Sequence, residues 1–132
     1  MATESLHNTS GAGIAPVSNR LPAATRLGRV NLQVSELGRS LTWYQQVLGL
    51  RLLSQNGSTA SLGAEGSDEV LVILTEQPGA APVPPRGRIG LYHFAILLPE
   101  RRSLGAFVRR LAERGERVGA ADHLVSEALY LT

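Results

Sequence analysis

Three histidines and no cysteine limit the metal and nucleophile chemistry open to this 132-residue chain. Without thiols there is no disulfide framework, no cysteine nucleophile and no thiolate metal site. A metal would have to be held by His, Asp or Glu. His7 lies in a stretch rich in Ser, Asn, Gly and Pro and is expected to be solvated. His93 opens an alternating apolar run, where an imidazole can ligate a metal or sit as a satisfied core group. His123 follows Asp122 and reads either as half of a turn pair or as a titrating group in a site. Tyr130 is either a packing residue or a hydroxyl facing a ligand. Asp122, Glu127, Glu69 and Glu76 are carboxylates that could join such a group.

Composition narrows the setting of this chemistry. With 43% hydrophobic and 18% charged residues, the chain is expected to be a single globular domain. Its apolar runs, such as Val70 to Leu74, have the length of strands and fall short of the roughly 18 residues of a membrane span. The 13 basic residues are all arginine, but they are dispersed among acids, as in Arg114-Gly115-Glu116-Arg117. No basic stripe with interleaved aromatics is present, which argues against nucleic acid as a partner. Neither a nucleic-acid nor a membrane partner is expected. The N-terminus lacks a basic segment followed by an apolar one, so a cytoplasmic location is the expectation.

The elements that must position these groups follow from periodicity. Residues 1–24 read as a flexible leader and residues 25–132 as the folded domain. Val30, Leu32 and Val34 alternate with polar residues and predict a strand. Ser35 stands where an N-cap would, ahead of a helix from about Glu36 to Leu48 with Leu37, Leu41, Tyr44 and Leu48 on its buried face. Gly49 fits the position that ends it. Leu50 to Leu53 and Thr59 to Leu62 read as strands joined at an Asn56-Gly57 turn. Glu69 to Thr75 is mostly apolar and predicts a central strand. A proline-rich linker occupies about residues 78–89. The order then restarts: a strand over Leu91 to Leu98, a helix from Pro99-Glu100 to about Arg114 with Leu104, Phe107, Val108 and Leu111 on one face, and strands over Ala121 to Val125 and Ala128 to Leu131.

The two halves are a repeat. An offset of 64 residues places Arg29 on His93, Val30 on Phe94, Leu32 on Ile96, Val34 on Leu98 and Glu36 on Glu100. Module one covers about 25–77 and module two about 90–132, and the same offset puts module two's last strand past Thr132. The expected fold class is therefore α+β, as tandem βαβββ modules with the second lacking its last strand.

The segment Leu27–Leu41 (LGRVNLQVSELGRSL), followed by Trp43-Tyr44 and Val47-Leu48-Gly49-Leu50, resembles the opening module of the vicinal oxygen chelate superfamily of glyoxalases, bleomycin-resistance proteins and extradiol dioxygenases. Gly90–Pro99 (GLYHFAILLP) and Asp122–Leu131 (DHLVSEALYL) resemble the N-terminal half of two-domain catechol 2,3-dioxygenase-type proteins.

That resemblance implies paired modules cupped around a divalent metal, usually Fe(II) in the dioxygenases, held by two His and one Glu with open positions for a catecholate and O2. By the resemblance, His93 matches a metal ligand, His123 the acid–base histidine and Tyr130 a tyrosine facing the substrate oxygens. An imidazole, with an unperturbed pKa of about 6.5, suits that acid–base role. Arg29 occupies the first module's ligand position and Asn31 lies two residues on. Arginine cannot ligate, and asparagine is a weak oxygen donor. The glutamate ligand would fall in the strand beyond Thr132.

Three functions follow from this pattern. In the first, implied by the resemblance, the chain would be part of an extradiol ring-cleavage enzyme that opens an aromatic diol with O2. Alternatively it is a non-catalytic module in which Arg29 replaces the metal's charge and holds an aromatic acid or phenolate. The third reading is a bleomycin-resistance-like binder, formed between modules of a dimer. The expected partners are a small aromatic or phenolic ligand and either a second copy of the chain or a C-terminal domain.

Overall fold

The structure is a computed structural model that describes residues 21–81, 91–124 and 126–131. Most of the expected leader and of the proline-rich linker lies outside the described residues.

The first unit forms as its alternation demands. Strand β1 (Val30–Val34) leads into helix α1 (Leu37–Trp43), which continues as a π-helical turn over Tyr44–Leu48. Strands β2 (Arg51–Asn56), β3 (Thr59–Gly63) and β4 (Val72–Glu76) follow. They make one four-stranded sheet in the order β1-β4-β3-β2, with β1 parallel to β4 and the other pairs antiparallel. The apolar β4 is central, as its composition predicts.

Leu37 and Leu41 of α1 pack on Leu50, Ala60, Leu62, Val72 and Leu74 to form the core. Ala60, Leu62, Val72 and Leu74 are fully buried, so the core sits between α1 and strands β3 and β4. Burying one such aliphatic side chain contributes about 1.5–3 kcal/mol.

Several local expectations change. The N-cap of α1 is Glu36, one residue after Ser35. Its carboxylate accepts the N–H groups of Gly38 (2.8 Å) and Arg39 (2.7 Å). Glu76, reaching from β4, accepts the Leu37 N–H at 2.7 Å. Two carboxylates thus satisfy three of the helix's free donors and face the positive end of its dipole. The π turn changes the helix phase, and Val47 becomes buried while Tyr44 and Leu48 remain half-buried. Gly49 ends the helix at φ +76°, as expected. The β2–β3 turn is centred on Gly57-Ser58 rather than Asn56-Gly57, because Asn56 already pairs with Thr59.

The second unit departs further. Helix α2 spans Arg101–Glu113 and starts 64 residues after α1, with Glu100 extended at its N-cap as Glu36 is in the first unit. Glu100 makes no capping bond and instead pairs with Arg102 at 2.7 Å. Gly115, at φ +69°, follows the helix's last turn.

Residues 91–98, expected as a strand, form none: a lone apolar run gains no ladder bonds until an edge accepts it. Tyr92 and Leu97 are almost fully exposed, and only Phe94 packs against the first unit's core. Strands β5 (Val118–Asp122) and β6 (Glu127–Leu131) pair antiparallel in a separate two-stranded sheet. The strand expected over Ala121 to Val125 is thus moved toward the N-terminus, and His123 falls in the turn.

The described fold is mixed α+β: a complete βαβββ unit, then a helix and a hairpin from a second. The two are joined through Arg110 of α2, whose Nη2 donates to the carbonyls of Gln46 (2.6 Å) and Gln45 (3.3 Å) at the end of the first helix.

Candidate functional site

The β5–β6 hairpin brings two of the expected site residues together. His123 Nε2 and Tyr130 Oη lie 3.3 Å apart, with the donor set by the imidazole tautomer. The ladder pairs Gly119 with Tyr130, Ala121 with Ala128, and Asp122 with Glu127. A further bond, from the His123 N–H to the Ser126 carbonyl at 2.8 Å, extends the pairing toward the turn.

Strand alternation therefore puts Gly119, Ala121, His123, Ser126, Ala128 and Tyr130 on one face. Four residues along the strand separate Tyr130 from the row of His123, roughly 13 Å at the usual rise. The two rings close that span only by lying along the strands, toward each other. Between them lies the Ala121–Ala128 pair, and a side chain larger than methyl there would stand in the way. Opposite Tyr130 is Gly119, where a Cβ would meet that of Tyr130 at 3.6 Å. This run of small residues was not singled out in the sequence, although the alternation Gly-x-Ala-x-His carries it.

The hairpin lies beside α2: Ala120, Ala121, Ala128 and Leu129 line a groove of about 260 Å³ with Leu104 and Val108 of the helix. At its edge Arg101 grips Glu127 with two hydrogen bonds, 2.8 and 2.9 Å long. Hydrogen bonding to Arg101 holds the Glu127 carboxyl below its usual range, and the same bond raises Arg101.

The remaining candidates are dispersed. His93 is exposed and contacts Tyr92 edge-to-face at a ring separation of 5.5 Å. It makes no hydrogen bond to His123 or Tyr130 among the described residues. Asn31, Leu32 and Gln33 of β1 line a groove of about 490 Å³ with Leu91. Arg29 is exposed just ahead of β1. Of the four carboxylates, Glu127 is engaged by Arg101, Glu76 by the Leu37 N–H and Asp122 by the Leu124 N–H at 2.8 Å, while Glu69 is exposed. Burial pushes up the phenol of Tyr44, which packs half-buried against the core of the first unit.

Among the described residues no three His, Cys, Asp or Glu side chains are grouped to hold a metal. This donor set does not fit a complete site of two His and one Glu. His93 is one imidazole, and its counterpart Arg29 cannot ligate.

No helix among the described residues is long and apolar enough to cross a membrane. A family model described as the Glyoxalase/Bleomycin resistance protein/Dioxygenase superfamily matches residues 26–130. A catechol-2,3-dioxygenase of Bacillus subtilis is 47% identical over 108 residues, which is 82% of this chain. The chain spans only 38% of that relative's length. Among solved structures, a glyoxylase/bleomycin resistance protein/dioxygenase domain from Frankia sp. EAN1pec superposes with a TM-score of 0.63 at 21% identity, covering 80% of this chain and 86% of that one. A lactoylglutathione lyase from Agrobacterium tumefaciens superposes with a TM-score of 0.59 at 16% identity, covering 83% and 87%. These two likenesses concern the fold. The family match, the identity to the Bacillus relative and the βαβββ unit agree: the chain belongs to the glyoxalase/bleomycin resistance/dioxygenase superfamily.

Proposed function

We propose that the chain carries the proton-handling part of an extradiol-type dioxygenase site, acting on an aromatic diol with O2. The observation that carries this reading is the His123–Tyr130 contact of 3.3 Å between two exposed side chains, with the small Ala121–Ala128 pair between their rows. The 47% identity to a catechol-2,3-dioxygenase supports it.

A neutral imidazole can take the proton of a diol hydroxyl. The Tyr130 hydroxyl can donate to the diol's second oxygen. Both side chains are exposed, so a flat ring can approach them from solvent. In this reading His93 would be one ligand to a divalent metal, Fe(II) by preference, and the other donors would have to come from a further domain or a second copy of the chain. Location in the cytoplasm belongs to the same proposal.

The test is colour development on catechol in air with added Fe(II), together with iron analysis of the protein. Ring cleavage that falls at least a hundredfold in His123→Ala supports the reading. A second reading is favoured by Arg29, a permanent cation at the position that the resemblance assigns to a metal ligand. In it the chain binds a phenolate or aromatic acid without redox chemistry. Retained catechol binding with neither iron nor turnover would select this second reading over the first.

A further inference from the structure

The turn that carries His123 is strained. Leu124 has φ +67°, the only non-glycine residue in that region among the described residues. A leucine there suffers contact between its Cβ and the backbone, where glycine or asparagine would not. Its side chain is 96% exposed, so burial offers no compensation. Strain of this kind persists where neighbouring groups fix the backbone, and it concentrates at functional sites.

One fixing contact comes from Asp122. Its Oδ1 accepts the Leu124 N–H at 2.8 Å, bridging the two residues around His123. The other is the His123 N–H to Ser126 carbonyl bond. Asp122 also lies on the opposite strand face from His123, so its carboxylate holds the turn without competing for the imidazole.

We propose that Asp122 is a positioning residue that locks the Leu124 turn and so aims the His123 imidazole along the strand at Tyr130. This rests on the reading of His123 and Tyr130 as the proton-handling pair. Asp122 touches neither ring. It acts through the backbone.

The test is a nuclear Overhauser cross-peak between the ring protons of His123 and Tyr130, which reads the pair's geometry without turnover. Wild type shows the cross-peak, and Asp122→Asn, which keeps a side-chain oxygen acceptor, retains it. Asp122→Ala loses it, as the population of the turn falls roughly 5- to 30-fold. Adding Leu124→Gly to Asp122→Ala restores it, because glycine adopts positive φ without the Cβ clash. Dispersed resonances from the first-unit core confirm that each variant is folded. A full cross-peak in Asp122→Ala, or no recovery in the double variant, overturns the proposal. If the cross-peaks behave as described while catechol is not turned over, the positioning role stands and the dioxygenase reading fails.

Discussion

Replacing Gly49 by alanine tests how the two units are joined. Gly49 sits at φ +76°, and a Cβ there would run into Nη1 of Arg110. The backbone cost of placing alanine in this region is about 1–2 kcal/mol. The clash adds a second cost. To make room, the guanidinium must leave the carbonyls of Gln46 and Gln45, which it reaches at 2.6 and 3.3 Å. These are charged bonds at a helix C-terminus, but exposed, and together they contribute about 1–2 kcal/mol.

Gly49→Ala should therefore destabilise the chain by about 2–4 kcal/mol, and Arg110→Ala by about 1–2 kcal/mol. Once Arg110 has been removed, Gly49→Ala should cost only its backbone share. The double variant then falls short of the sum by about 1–2 kcal/mol. Urea denaturation of the four proteins measures this directly. Single effects that add to within about 0.5 kcal/mol would refute the placement of Arg110 over the helix end.

Other outcomes follow from the same coordinates. Ala128→Leu, between the two rings, should separate His123 from Tyr130. The ring-to-ring cross-peak described above checks this. Glu76→Gln should cost about 1 kcal/mol in denaturant, since the Leu37 N–H then keeps only a neutral acceptor. The folded-state carboxyl of Glu127 is depressed below 4.5, so its stabilising link to Arg101 is present above that pH and lost as the pH falls through the lower, folded value. Acid titration of wild type against Glu127→Gln should show that difference shrink as the pH falls below 4.5, and shrink again at high salt because the pair is exposed. Leu74→Ala, in the fully buried centre of the sheet, should cost about 2–5 kcal/mol by thermal or chemical unfolding.

The first unit was legible in the sequence because each signal had one physical meaning. Alternation at Val30–Val34 marked a strand, the apolar run before Thr75 marked the central one, and Gly49 marked the helix end. The same logic misplaced elements whose partners lie far away in the sequence. Glu76 and Glu36 share the cap of α1, and no local pattern around Ser35 reveals a carboxylate arriving from β4. The 91–98 run has strand composition, but composition does not supply an edge to pair with. The β5–β6 turn was hidden because Leu124 occupies a position where glycine or asparagine would have announced it. His123 and Tyr130 were singled out by resemblance. Their meeting depends on Gly119, Ala121 and Ala128, whose only message is smallness.

The central claim is that His123 and Tyr130 together engage the two oxygens of an aromatic diol. Titrating the chain with catechol and with its mono-O-methyl ether, followed by ultraviolet difference absorbance, tests it most directly. Saturable catechol binding should weaken about 2- to 10-fold in Tyr130→Phe and in the methylated ligand, the size of one hydrogen bond. Catechol and its ether binding equally well, with neither His123→Ala nor Tyr130→Phe changing the affinity, would contradict it.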